Sequence, residues 1–244
     1  MHWPELAQWG DDTTLIEPLT GGTSNDVWRV LIGGRLAVAR RGSRPDDDLA
    51  WETGLMLHLD RNGLAVPVPI PTRDGRLFSG GTMIMTFMEG SPPQTPADWR
   101  RVADTLRRVH TLTRDWPQRP GWKSATDLLT SERCTRIDLT AMPAEAVARC
   151  RNAWARLAGR PTAVVHGNPN NPANICITPE RVALVDWDEA RVDAPEFDLA
   201  LPHNGAGLAG IERDTIEQAA AAWEAAICWQ DDYALRRLAE VRPV

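Results

Sequence analysis

The rhythm of apolar and polar positions changes near residue 90. Upstream of it, Leu15 to Leu19, Val27 to Ile32, Leu36 to Arg40 and Thr82 to Met88 are short runs rich in apolar and β-branched residues. Gly21-Gly22 and Gly33-Gly34 punctuate them. Runs of this kind between double glycines predict antiparallel strands joined by tight turns. One helix interrupts the series. Residues 45–49 open it, with Asp46, Asp47 and Asp48 where the helix dipole is positive. Ala50, Trp51, Leu55, Leu57 and Leu59 are expected to form its apolar side. Val66-Pro67-Val68-Pro69-Ile70-Pro71 is expected to be extended, because each proline fixes its own φ and bars the preceding residue from the helical region.

Downstream the period is helical. Pro96-Ala97-Asp98 opens a helix to about residue 113, with Val102, Leu106, Val109 and Leu112 on one face. A looser stretch carries Trp116, Pro117, Pro120 and Trp122, and Pro143 opens a second helix to about Leu157. Ala163 to Val165, Ile175 to Ile177 and Val182 to Val185 are short apolar strands, and further helices are expected from about residues 196 and 214. The cluster Glu89-Gly90-Ser91-Pro92-Pro93 marks the boundary between the two patterns. The prediction is an α+β chain: residues 1–90 form a small antiparallel sheet with one helix, and residues 91–244 form a mainly helical lobe.

Composition narrows the function classes. The chain has 244 residues, 43% hydrophobic and 25% charged, enough for one large domain or two small lobes. A net charge of -6 argues against a nucleic-acid partner, since phosphate backbones demand clustered Lys and Arg. No apolar run approaches membrane-spanning length, and Met1-His2-Trp3-Pro4 lacks the basic-then-apolar plan of a signal peptide. The expectation is a cytoplasmic protein with no membrane partner. Cys134, Cys150, Cys176 and Cys228 show no CxxC spacing and read as reduced, mostly buried thiols. Eleven tryptophans against one tyrosine are expected to fill core volume, with Trp187 as the alternative, a stacking platform for a ligand.

The chemistry concentrates in His166-Gly167-Asn168-Pro169-Asn170-Asn171-Pro172-Ala173-Asn174 and in Val185-Asp186-Trp187-Asp188 just after it. Asp186 directly follows the apolar strand Val182 to Val185, and a carboxylate there can bind Mg²⁺ bridging phosphates. The Gly21-Gly22 loop contains no Gly-Lys-Ser/Thr and is not a P-loop. Alone it reads as a plain hairpin turn.

Five separated pieces fall in one order: Leu19-Thr20-Gly21-Gly22-Thr23-Ser24-Asn25; Val38-Ala39-Arg40; Trp51-Glu52; Met85-Thr86-Phe87-Met88-Glu89-Gly90; and the 166–188 constellation continued through Asp198-Leu199-Ala200. On these residues the chain resembles the aminoglycoside phosphotransferase family, within the protein-kinase-like fold that includes choline kinases. The likeness spans nearly the whole chain. It implies a bilobal protein-kinase-like fold, trimmed relative to the family in the helices that hold the acceptor. It also implies transfer of the γ-phosphate of ATP or GTP, assisted by Mg²⁺, to a hydroxyl of a small molecule.

Residue by residue, the resemblance places Gly21, Gly22, Thr23 and Ser24 over nucleotide phosphates. Arg40 would hold the α/β-phosphates and pair with Glu52, with Arg41 as a competing candidate. The Thr86 carbonyl and Met88 amide would face a purine edge. Asn174 and Asp186 would ligate Mg²⁺, and Asp188 would be a further acid at the site. His166 would prop the loop, and Asp198 would accept backbone N–H bonds from it. Asn168 stands where the family has the catalytic Asp.

Three departures appear. Arg40 replaces the usual Lys, Asn168 replaces the Asp, and Asn174 follows position 168 by six residues where five is usual. Asn can orient a hydroxyl but cannot carry its proton away, so the alternative is a weak or inactive nucleotide-binding pseudokinase. Asp188, Glu189, Asp193 and Glu196 make the following segment acidic; this would attract a cationic acceptor or form a solvated face.

Overall fold

The computed structural model describes residues 3–19, 25–204, 207–208 and 210–243. The chain forms two compact units, Met1–Pro92 with Ala173–Val185, and Pro93–Pro172 with Asp186–Val244. It changes unit after Pro92 rather than after residue 90, and residues 173–185, expected in the second lobe, cluster with the first.

The first unit is built on four antiparallel strands in sequence order: β1 (Thr14–Pro18), β2 (Asp26–Ile32), β3 (Arg35–Arg41) and β4 (Thr82–Thr86). Gly33 and Gly34 turn β2 into β3 at φ 52° and 75°, a left-handed pair that glycine adopts without a Cβ clash. Phe87 and Met88 lie beyond the strand that was expected to include them. Side chains on β4 alternate between two apolar clusters, as a pleat requires. Ile84 packs with Trp3, Leu6, Trp9, Val30, Ala37 and Ala39. Met83 and Met85 pack with Leu49 of helix α1 (Asp46–Arg61). On α1 the buried stripe is Leu49, Trp51, Leu55, Met56 and Leu59, with Glu52 among them. Ala50 is exposed and Leu57 only half-buried, because the 3.6-residue period rotates both off that stripe.

The proline-rich segment is extended and lines the outer edge of β4. Ile70 donates to the Ile84 carbonyl at 2.8 Å, and Thr86 donates to the Val68 carbonyl at 2.9 Å. Prolines suit such an edge, where their missing N–H groups cost no ladder bond. The hairpin β5 (Ile175–Ile177) and β6 (Val182–Leu184) joins this unit through backbone bonds. Ser91 and Ile177 exchange two bonds at 3.0 and 2.8 Å, and Leu184 donates to Ala65 at 3.2 Å. Those long-range bonds explain the unit assignment that the linear pattern hid.

The second unit holds α2 (Pro96–Leu112), α3 (Ala144–Ala155), α4 (Gly210–Ile227) and α5 (Asp232–Glu240). Thr95 and Asp98 cap α2 reciprocally, satisfying donors that the first turn leaves open. The helix expected from about residue 196 is a single 3₁₀ turn, Pro195–Leu199. A strand pair joins β7 (Ala163–Val165) to β8 (Arg191–Asp193), the latter unexpected from its charged sequence. Its charges are buried against each other. Arg191 and Asp193 pair at 2.9 Å with side chains 1% exposed, and the Arg191 guanidinium lies 3.5 Å from the Trp223 ring centre. Trp122, Trp154, Trp223 and Phe197 dominate the surrounding core. No helix among the described residues is long and apolar enough to cross a membrane.

Candidate active site

The loop that follows β7 is held from below by one buried carboxylate. Asp198 Oδ2 accepts the His166 amide at 2.7 Å and Oδ1 accepts the Gly167 amide at 3.1 Å. Nε2 of His110, on α2, sits 2.9 Å from the same Oδ2. Burial by itself would push the Asp198 carboxyl up. The hydrogen bond and charge of His110, with the His166 ring and amide, outweigh it and hold the group below its ordinary range. His166 is fully buried, its ring 4.7 Å from that of Trp187. Its Nδ1 faces the Asn168 amide at 3.4 Å. His166 thus sits inside the loop as a prop.

Gly167 can only be glycine here. Its φ is 92°, and a Cβ would stand 2.5 Å from the Glu189 carbonyl oxygen and 2.8 Å from Glu189 Cβ. The close approach of residues 167 and 189 leaves Asn168 exposed at the loop surface. Asp186 opens the opposite limb. It is exposed and has φ 63°, a left-handed conformation that costs a non-glycine residue roughly 1 kcal/mol or more and recurs at functional sites. The turn after it is clamped by Arg119, itself 1% exposed, which donates to the carbonyls of Trp187, Asp188 and Ala190 at 3.1, 3.1 and 2.9 Å. Asp188 is half-buried within that clamped turn. Trp187 is only 1% exposed, so it serves as core and not as a ligand platform.

Asn174 is buried at the end of a 3₁₀ turn, Pro172–Asn174. Its carbonyl accepts the Val185 amide at 2.9 Å, which pins the residue before Asp186 beside it. Asn174 offers an amide oxygen and Asp186 a carboxylate, the hard oxygen donors Mg²⁺ takes. Among the described residues no group of three or more His, Cys, Asp or Glu could hold a metal by itself.

In the first unit, Arg40 on β3 and Glu52 on α1 form a buried pair, Nη2 to Oε1 at 2.5 Å, with side chains 7% and 2% exposed. Arg41, the competing candidate, pairs instead with Asp26 at 2.9 Å near the surface, its guanidinium over Trp3. The two side chains point to opposite faces because they are adjacent on one strand. Thr86 ends β4 with its amide spent on Val68, and Met88 is half-buried just beyond. Gly21, Gly22, Thr23 and Ser24 lie outside the described residues.

The acidic stretch is largely used within the fold. Asp193 is buried against Arg191 and accepts the Ala125 and Ala194 amides, with burial pushing its carboxyl up. Glu196 pairs with Arg160 at 3.0 Å and Glu189 with Arg136 at 3.5 Å. Burial also raises the Glu189 carboxyl, against the pull of Arg136 and Arg191. Asp193, Glu196 and Glu189 are thus each paired with an arginine within the fold. Neither His110 beneath the loop, nor Arg119 beneath the turn after Asp186, nor Arg44, which meets Oε2 of Glu52 at 2.5 Å, carried a motif signal; only the i, i+4, i+8 spacing of Arg44, Asp48 and Glu52 hinted at the last.

A four-stranded antiparallel sheet with one helix, and a helical unit carrying a His-Gly loop held by a distant Asp, define a kinase-like fold. Solved structures agree. Choline kinase LicA from Streptococcus pneumoniae superposes with a TM-score of 0.67 at 14% identity, covering 95% of this chain and 92% of that one. A microcompartment-associated aminopropanol kinase gives 0.64 at 15% identity, covering 97% and 92%. Residues 15–241 match the phosphotransferase enzyme family, APH, and the chain belongs to that family. Curated relatives include homoserine kinases of Bradyrhizobium sp. (strain ORS 278), 29% identical over 174 residues, and of Beijerinckia indica subsp. indica, 30% identical over 172. Each match takes in 64% of this chain and 52% of the relative, so the chain spans about half the length of these relatives.

Proposed function

We propose that this chain moves the γ-phosphoryl group of ATP or GTP onto a hydroxyl of a small molecule, with Asn168 at the position of the usual acid. The observation that carries the proposal is the buried Arg40–Glu52 pair. Burying two charges costs several kcal/mol of desolvation on each side, roughly matched by their attraction, so the pair is poor stabilisation but good preparation for a phosphate. In this reading Gly21, Gly22, Thr23 and Ser24 cover the phosphates, and Thr86 and Met88 receive the base. Asn174 and Asp186 would hold Mg²⁺, which supplies charge neutralisation at the phosphate oxygens when bound.

Asn168 would accept a hydrogen bond from the acceptor hydroxyl and aim its oxygen at the γ-phosphorus. As the new O–P bond forms, the bond to the bridging oxygen breaks and the nucleoside diphosphate leaves. The hydroxyl proton passes to the transferred phosphoryl group or to Asp188. The transition state is loose, so positioning does most of the work and early proton removal matters less. The absence of a base costs about 10²–10⁴-fold in rate rather than all of it.

The relatives' names make homoserine the first acceptor to try, followed by other hydroxylated amino acids, amino alcohols and sugars. The assay is acceptor-dependent nucleotide consumption at millimolar Mg²⁺. Asn168 itself favours a second reading, a nucleotide-binding protein without turnover. Nucleotide binding with no acceptor-dependent consumption, before and after Asn168→Asp, would select that reading. No binding of any Mg-nucleotide would end both.

A further inference from the structure

The stretch Pro117-Gln118-Arg119-Pro120 has no period, and residues 116–119 form neither helix nor strand. Its two polar residues nonetheless meet the segment that follows Asp186 at both ends. Gln118 stands in for a strand partner. Its side-chain amide accepts the Val192 N–H at 2.9 Å and donates to the Val192 carbonyl at 2.8 Å. The Arg119 amide donates to Gln118 Oε1 at 2.8 Å and so fixes that side chain. Nη1 of Arg119 gathers the carbonyls of Trp187, Asp188 and Ala190 at 3.1, 3.1 and 2.9 Å.

Three carbonyl dipoles aimed at one point repel one another, and burial makes their unpaired state costly. The turn can keep this shape only while a donor sits at that point. A guanidinium suits it, because it stays charged at any working pH. Asp186 stands immediately before the clamped carbonyls, at φ 63°. A non-glycine residue persists in that region only where its surroundings over-determine it.

We infer that Arg119 is a positioning residue for the metal-binding carboxylate: by holding the carbonyls of residues 187, 188 and 190 it fixes the backbone turn on which Asp186 stands, and with it the affinity for Mg²⁺. The inference rests on the proposed role of Asp186. It gives the aperiodic 117–120 segment a task that no motif marked.

The test measures Mg-nucleotide affinity by calorimetry on the full chain, with no acceptor present. Groups that hold a metal ligand in place typically carry about 10–100-fold in metal affinity, so Arg119→Ala should weaken Mg-nucleotide binding about tenfold. Arg119→Lys should recover most of that loss, because an ammonium also presents three donors from one nitrogen. The control is a second clamp of the same kind. Nη2 of Arg149 donates to the carbonyls of Leu238, at 2.7 Å, and Val241. Arg149→Ala should lower the melting temperature as Arg119→Ala does, yet leave Mg-nucleotide affinity within about twofold. In EDTA the difference between the two variants should vanish. Thermal unfolding without nucleotide checks that each variant is folded, and Arg119→Gln replaces Arg119→Ala if that chain is not. Unchanged Mg-nucleotide affinity in Arg119→Ala, an equal loss in Arg149→Ala, or the same Arg119→Ala loss in EDTA overturns the inference while leaving the nucleotide site standing. Failure of the unmodified chain to bind Mg-nucleotide overturns the site and the inference together.

Discussion

Nε2 of His110 and Oδ2 of Asp198 lie 2.9 Å apart inside the second unit, 88 residues distant in sequence. The same carboxylate carries the backbone of His166 and Gly167. Three donors therefore converge on one buried anion, and the candidate catalytic loop takes its shape from that convergence. Replacing Asp198 with Asn removes the charge and strands its donors. We expect a loss of about 3 kcal/mol, the usual cost of breaking a buried charged pair from one side, read by urea unfolding at pH 7.

The same residue sets a pH dependence. Its folded pKa lies below the unfolded value, so the unfolded chain binds the proton more readily. The stabilisation is complete above the unfolded pKa, near ~4, and is lost as pH falls through the lower folded value. Urea midpoints of the unmodified chain should fall steeply below about pH 4, and the Asp198→Asn chain should lose the part of that slope due to this group. Parallel slopes in the two chains would contradict the assignment.

Gly167→Ala should destabilise by at least ~2 kcal/mol, because the positive φ and the contact with Glu189 add. Asn168→Ala, one position on and exposed, should leave the unfolding midpoint within about 0.5 kcal/mol. The pair of measurements separates the fold of the loop from its chemistry.

Asn168→Asp should raise acceptor-dependent turnover by about 10²-fold or more, without a matching change in KM for the nucleotide. An unchanged rate would mean that the longer loop has carried position 168 away from the acceptor hydroxyl.

Saturating Mg-nucleotide at a hundred times its Kd should stabilise the chain by about 2.7 kcal/mol. Chelating the divalent cation, or Asp186→Ala, should remove most of that shift in a thermal melt. Arg119→Ala should lower the melting temperature in the absence of nucleotide, since it leaves three inward carbonyls short of their donor.

Local pattern carried much of the fold. Alternation and double glycines marked the four strands, acids and apolar spacing marked α1 and α2, and the proline run marked an extended edge. The His-Gly-Asn loop, Asp186 and Asp198 were legible as spaced motifs. Strand β8 was missed because Arg191 and Asp193 look exposed in one dimension and become neutral only by pairing with each other. Residues 173–185 were misplaced because their partners, Ala65 and Ser91, lie far upstream.

What the chain determined by itself was everything that depends on near neighbours: period, turn chemistry, caps and the residue types of the site. Tertiary structure alone decided which charges are buried and against what. It divided Glu52 between Arg40 and Arg44, set Arg119 under the Asp188 turn, and brought His110 to Asp198. The physical reason is that a charge declares its role only when desolvated, and desolvation is a property of the packed molecule rather than of any segment.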